Sequence, residues 1–186
     1  MKRFVFLLVA LLFLCGCGKT AKPIDKAVTF RTKLLQSSGC EFVATITADY
    51  FDKLQIFKMR CRCDHAGKLA FEVLEPASIA GITGQIDGQT GKLTFDDQAL
   101  LFSLMAENRI SPVSAPWIML EGLQSGYISS CAETENGLKL YIDDTLNDEK
   151  IQLILWVDAS DALLSAELFY HERRILTVAV EAFTFL

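Results

Sequence analysis

Six cysteines and two histidines carry most of the chemistry open to this chain of 186 residues. Cys61-Arg-Cys-Asp-His65 is the sharpest cluster. On an extended strand, residues 61, 63 and 65 share one face, so two thiolates and an imidazole would offer three corners of a zinc site. Neighbouring side chains on a straight strand converge poorly on one tetrahedral ion, however, and no fourth ligand stands nearby. Asp64-His-Ala-Gly67 has turn composition, so we expect a turn there and assign no metal. Other catalytic patterns are missing from the sequence. There is no Gly-x-Ser-x-Gly and no His-Glu-x-x-His. Gly81, Gly84, Gly88 and Gly91 fit neither a dinucleotide fingerprint nor a P-loop, and Asp143-Asp-Thr-Leu-Asn-Asp-Glu149 lacks the spacing and glycine of a calcium loop. His171-Glu-Arg-Arg174 reads as a charged hairpin tip. Acid/base work would rest on carboxylates, and no paired, apolar-flanked acids stand out. We therefore expect neither an enzyme nor a cofactor.

A second cysteine pair, Cys15 and Cys17, ends a greasy run. Lys2 and Arg3 precede an uninterrupted apolar stretch, Phe4 to Leu14. That is the layout of a secretory signal, several residues short of the roughly 18 to 20 that cross a bilayer as a helix. Leu14-Cys-Gly-Cys17 resembles the lipobox of bacterial lipoproteins, in which a small residue precedes a cysteine that is diacylated before the signal is removed. The resemblance implies that residues 1–16 are discarded, that Cys17 carries the lipid, and that 17–186 form one anchored domain. Each buried methylene contributes about 0.8 kcal/mol, so one chain anchors marginally and several anchor firmly. It also places the protein on the cell membrane or outer membrane, facing the extracytoplasmic side. Gly18 is not the aspartate that resembles an inner-membrane retention signal.

Without residues 1–16 the chain keeps 170 residues and 16 basic against 23 acidic side chains, a net charge of minus 7. So acidic a chain has no electrostatic reason to bind nucleic acid or a bare anionic membrane. Export would put Cys40, Cys61, Cys63 and Cys131 where disulfides persist. If 42–50 and 54–63 form a hairpin about Phe51-Asp52, Cys40 lies opposite 61–63, whereas Cys61 and Cys63 sit nearly 7 Å apart on one strand. Cys40 with Cys63 is the favoured pair; four buried free thiols is the other reading.

The elements that must position these residues follow from hydrophobic period. Ile24, Ala27, Val28, Leu34 and Leu35 recur at helical spacing between Lys22 and Ser37, with Pro23 at the entry and Ser37-Ser-Gly39 as a stop. The period then changes to two. Three antiparallel strands are expected over 42–50, 54–63 and 69–73, then shorter ones at 82–86, 92–95 and 99–102. Ser111-Pro-Val-Ser-Ala-Pro-Trp117 leads into a short helix ending at Leu123. Strands resume at 127–132, 138–142, 151–157, 163–170 and 175–185. Several late strands are apolar on both faces, so either helices cover both sides or the sheet curls round an apolar interior. No internal repeat is visible. The class is α+β with a large antiparallel sheet. Lys58, Arg60 and Arg62 form a basic stripe on one strand face, read as a wet side paired with acids such as Glu72.

Lipobox, leading helix, antiparallel sheet and mid-chain helical insertion together resemble the superfamily of the bacterial lipoprotein carriers LolA and LolB. Mycobacterial lipid-binding lipoproteins, the periplasmic regulator RseB and clostridial germination lipoproteins such as GerS share that layout. Phe71-Glu-Val-Leu-Glu-Pro76, followed by Ile86-Asp-Gly88 and Leu93-Thr-Phe95, is the local stretch most like these domains. The resemblance implies an incomplete barrel whose concave face, lidded by helices, receives a lipid or lipoprotein acyl chain. Phe42, Ile46, Phe57, Met59, Phe71, Trp117 and Met119 would line it. It equally implies a second possibility, a scaffold or regulator of a cell-envelope protein partner, well packed and without a cavity.

Overall fold

The computed structural model describes residues 22–50, 53–106 and 109–186. Cys17 and the Phe51-Asp52 turn lie outside them. The first helix, α1, spans Pro23–Gln36, with Pro23 in its first turn where a missing N–H costs nothing. The Asp25 carboxylate accepts the Lys22 N–H at 3.3 Å, and Ser37 N–H donates to Lys33 O to end the helix. Its buried stripe is Ala27, Phe30 and Leu34. The periodicity suggested Ile24, Val28 and Leu35 as well, but these are exposed. They lie on the shoulder of the helix, about 100° from a stripe only one residue wide.

Eleven strands form one open antiparallel sheet, ordered β6-β5-β4-β3-β2-β1-β13-β12-β11-β10-β9. Its first half is β1 (Gly39–Asp49), β2 (Leu54–Asp64), β3 (Leu69–Glu75), β4 (Thr83–Asp87), β5 (Thr90–Phe95) and β6 (Gln98–Ser103). Two short strands, β7 (Met105–Ala106) and β8 (Arg109–Ile110), pair only with each other, and a 3-10 turn at Pro112–Ser114 enters α2 (Ala115–Ser125). The second half is β9 (Tyr127–Thr134), β10 (Gly137–Leu146), β11 (Glu149–Asp158), β12 (Leu163–Tyr170) and β13 (Arg173–Phe185). Burial alternates from Cys40 to Ala48 on β1, from Phe57 to Cys63 on β2 and from Leu69 to Val73 on β3, so one face of the sheet is core.

The two halves share a device at the base of a hairpin. Gly39 pairs with Asp64 and Gly137 with Asp158. Asp64 Oδ1 accepts the N–H groups of Ala66 and Lys68, both at 3.0 Å. Asp158 Oδ1 accepts those of Ser160 and Ala162, both at 2.8 Å, and the Ser160 hydroxyl at 2.7 Å. These bonds, first that from Ala162, hold the Asp158 carboxyl below its usual range. A depressed carboxyl contributes stability above its unfolded value and loses it as pH falls through the folded one. The urea midpoint should therefore drop below about pH 4, and the drop should shrink in Asp158→Asn; an unchanged drop would remove this account.

On the convex face the basic stripe is paired as expected. Arg60 meets Glu72 at 2.6 Å, Arg62 meets Glu41 at 3.0 Å and Lys58 meets Glu181 at 3.0 Å. No described helix covers the outward Trp156 and Tyr141; instead the Lys139 ammonium lies 4.9 Å from each ring centroid. That contact, and half-burial by neighbours, answers the two-sided apolar strands.

Candidate functional site

The concave face brings all seven predicted lining residues together. Phe42 and Ile46 on β1 stand opposite Cys61 and Phe57 on β2, while Cys61 opposes Phe71 on β3. With Met59, Trp117 and Met119 they belong to one buried apolar cluster. They pack as core. The hollow is filled by α2, which buries Ala115 through Leu120, Gly122 and Leu123; a helix apolar nearly all round needs such an enclosed place.

Side-chain hydrogen bonds fix α2 at both ends. Trp117 Nε1–H donates to Gly67 O at 3.0 Å in the β2–β3 turn. At the other end, Arg31 of α1 donates from Nε to Leu123 O and from Nη2 to Gly126 O, each at 2.7 Å. A cation on the last carbonyls of a helix satisfies acceptors that have no intrahelical partner and complements the dipole. Burial lowers the Arg31 pKa and Asp144 opposes that shift.

Beyond this plug the same face continues and, among the described residues, is left open. Phe71 pairs with Gly84, Gly84 with Leu93 and Leu93 with Leu100; Ile86 pairs with Gly91 and Gly91 with Phe102. Directly opposed residues point to one side, so Leu93, Phe95, Leu100 and Phe102 extend the concave apolar surface past Phe71. Leu93 and Phe102 are half-buried, but Phe95 is 58 % and Leu100 64 % exposed. Sequence reading placed these strands without singling out their side chains. The signal was present: Leu93 and Phe95 alternate, as do Leu100 and Phe102. Which side faced inward needed the register.

Two other grooves have a different character. One of about 830 Å³ is lined by Asp143, Asp144, Asp148, Glu149 and Glu172 with a single Lys150. Another, about 480 Å³, lies over the paired Arg60, Arg62, Glu41 and Glu72. The thiols of Cys40, Cys61 and Cys63 are buried in the core, whereas His65 stands exposed in the turn. Among the described residues, no three His, Cys, Asp or Glu side chains converge as a metal site would require. Nor is any described helix long and apolar enough to cross a membrane.

No family model matches the chain, and no curated protein sequence matches it. Solved structures do. A DUF1329 family protein from Desulfovibrio piger superposes with a TM-score of 0.51 at 10% identity, covering 88% of this chain and 91% of that one. An uncharacterized conserved protein from Thermus thermophilus gives 0.49 at 11% identity, covering 88% and 87%. A LolA superfamily protein from Nitrosomonas europaea gives 0.47 at 10% identity, covering 86% and 93%. The likeness to the Desulfovibrio piger protein is one of fold: an open antiparallel sheet with a leading helix and a mid-chain helix packed on one face, the α+β layout expected from the sequence.

Proposed function

We propose that this chain is a non-enzymatic lipoprotein, anchored through Cys17 on the extracytoplasmic side, that holds the acyl chain of a lipid or lipoprotein against the open part of its concave face. The observation that supports this reading is the apolar surface of half-buried Leu93 and Phe102 and exposed Phe95 and Leu100, continuous with the core and uncovered among the described residues. Fully covering an exposed side chain of this size contributes about 1.5–3 kcal/mol, so exposed Phe95 and Leu100 would supply most of the gain, set against the entropic cost of binding. The packing of α2 into the hollow favours a second reading, a protein-interaction module with no ligand.

Native mass spectrometry of residues 18–186, purified without detergent, separates the two. Carriage predicts a lipid-mass adduct that organic extraction removes. Phe95→Ser and Leu100→Ser should each weaken binding of added fatty acid by about tenfold, with stability changed by no more than about 0.5 kcal/mol because both sites are exposed. A clean apo mass that also refuses fatty acid and phospholipid would end the carrier reading and leave the interaction module.

A further inference from the structure

We propose that Cys40 and Cys63 form this chain's specific cross-strand disulfide under oxidising conditions, stapling β1 to β2 where the helix α1 enters the sheet. The two are Cα partners in the β1–β2 register. Directly opposed antiparallel residues have Cα atoms about 4.5 or 5.5 Å apart, according to pair type, and both values fall within the roughly 4.4–6.8 Å that a disulfide spans. Both side chains point to the core face, 1 % and 2 % exposed; each is present as the free thiol, and the Cys63 thiol donates to Asp64 O at 3.5 Å.

Alternatives fail on distance. Cys61 lies on the diagonal from Cys40, about 7–8 Å away and beyond bridging range. Cys131 sits on β9, with β13, β12, β11 and β10 between it and β1. Packing does not demand thiols here either. In the second hairpin, Gly137 with Asp158 is followed by Leu138 with Val157, so the place taken by Cys40 and Cys63 is filled there by two aliphatic side chains, both buried.

The step is thiol–disulfide exchange. In one order of events the Cys63 thiolate attacks a disulfide-bearing oxidant and expels one thiolate. Cys40 then gives up its proton and displaces the second thiolate from the mixed disulfide. One S–S bond forms in the protein, the oxidant's S–S bond is reduced to two thiols, and the two protons go to those thiols. Burial of both sulfurs in the finished fold places the reaction before the core closes.

The pairing rests on register, while the presence of an oxidant rests on the export reading above. The test therefore has two arms, both on the full chain. In the first, cells expressing it with its own leader are lysed into N-ethylmaleimide and the unreduced digest is mapped by mass spectrometry. We expect a peptide joining Cys40 to Cys63, with Cys61 and Cys131 alkylated after denaturation. Its reduction should lower the melting temperature by about 5–10 °C. In the second arm the reduced chain is refolded in detergent with glutathione disulfide, and the same bridge should form, in Cys61→Ser as in the parent. Fully alkylated cysteines from cells, with the bridge formed on refolding, would uphold the pairing and count against export. A bridge through Cys61 or Cys131, or none on oxidative refolding, overturns the inference.

Discussion

Gly39→Ala is expected to destabilise the protein by about 3 kcal/mol, lowering the melting temperature by about 6–12 °C. Gly39 has φ +149°, and a Cβ built on it would stand 2.1 Å from the Cys63 carbonyl oxygen. That neighbour is backbone inside a paired strand, so relief requires moving β2 away from β1. Gly137, with φ +138° and a Cβ 2.1 Å from Val157 O, should respond alike, because the two hairpin bases are built in the same way. Gly88→Ala is the control. Its φ is +57° with nothing within 4 Å, so it should lose only the left-handed penalty of about 1 kcal/mol. Urea midpoints at constant m would measure all three. If Gly39→Ala and Gly88→Ala lose equal stability, close strand approach is not what fixes Gly39.

The second large effect should come from Arg31. Arg31→Met removes the two 2.7 Å bonds to Leu123 O and Gly126 O and leaves those carbonyls at a crowded helix end. A hydrogen bond to a charged group contributes about 1.5–3 kcal/mol; with Arg31 half-buried, we expect a loss of about 2–4 kcal/mol. Arg31→Lys should recover less than half, because a single ammonium cannot reproduce the planar fork that reaches both acceptors. Hydrogen exchange gives the decisive readout, since faster exchange should appear first across α2. Exchange that rises uniformly over the sheet would mean that Arg31 supports the whole fold rather than tethering α2 to α1. Lys26–Glu133 and Lys33–Asp161 join α1 to the sheet through exposed partners, and each should matter little.

Much of this architecture was legible because its signals are local. The period-two alternation of 42–50 and 54–63 gave both strands and, through the short turn, the opposition of Cys40 to 61–63, which the register narrows to Cys63. The pairing of Arg60 with Glu72 was readable for the same reason. What stayed hidden depends on contacts distant in sequence. Nothing near Phe30 says that it, rather than Val28, meets Phe185, whose ring centroid lies 6.1 Å away. The apolar residues of 117–123 showed a helix but not that it would occupy the hollow. Phe95 and Leu100 were read only as strand residues, because their exposure is decided by how far the helices reach. The repeated hairpin base escaped notice since it consists of one glycine and one aspartate in each copy.

The strand order carries a consequence for how the chain reaches this state. Every neighbouring pair in the sheet is consecutive in sequence except β1 with β13, where residues 40–48 meet 176–185. Two meanders can thus assemble from hairpins that each close quickly. Joining them closes a loop of about 130 residues, at an entropic cost of about 4 kcal/mol beyond a constant, which makes this seam the slow step. During synthesis the first meander emerges complete while its partner strand is still unmade. Until then β1 presents a bare edge, apolar on its inner face, of the kind that pairs with any other strand it meets. The seam is therefore the place where a chaperone would act and where aggregation would begin.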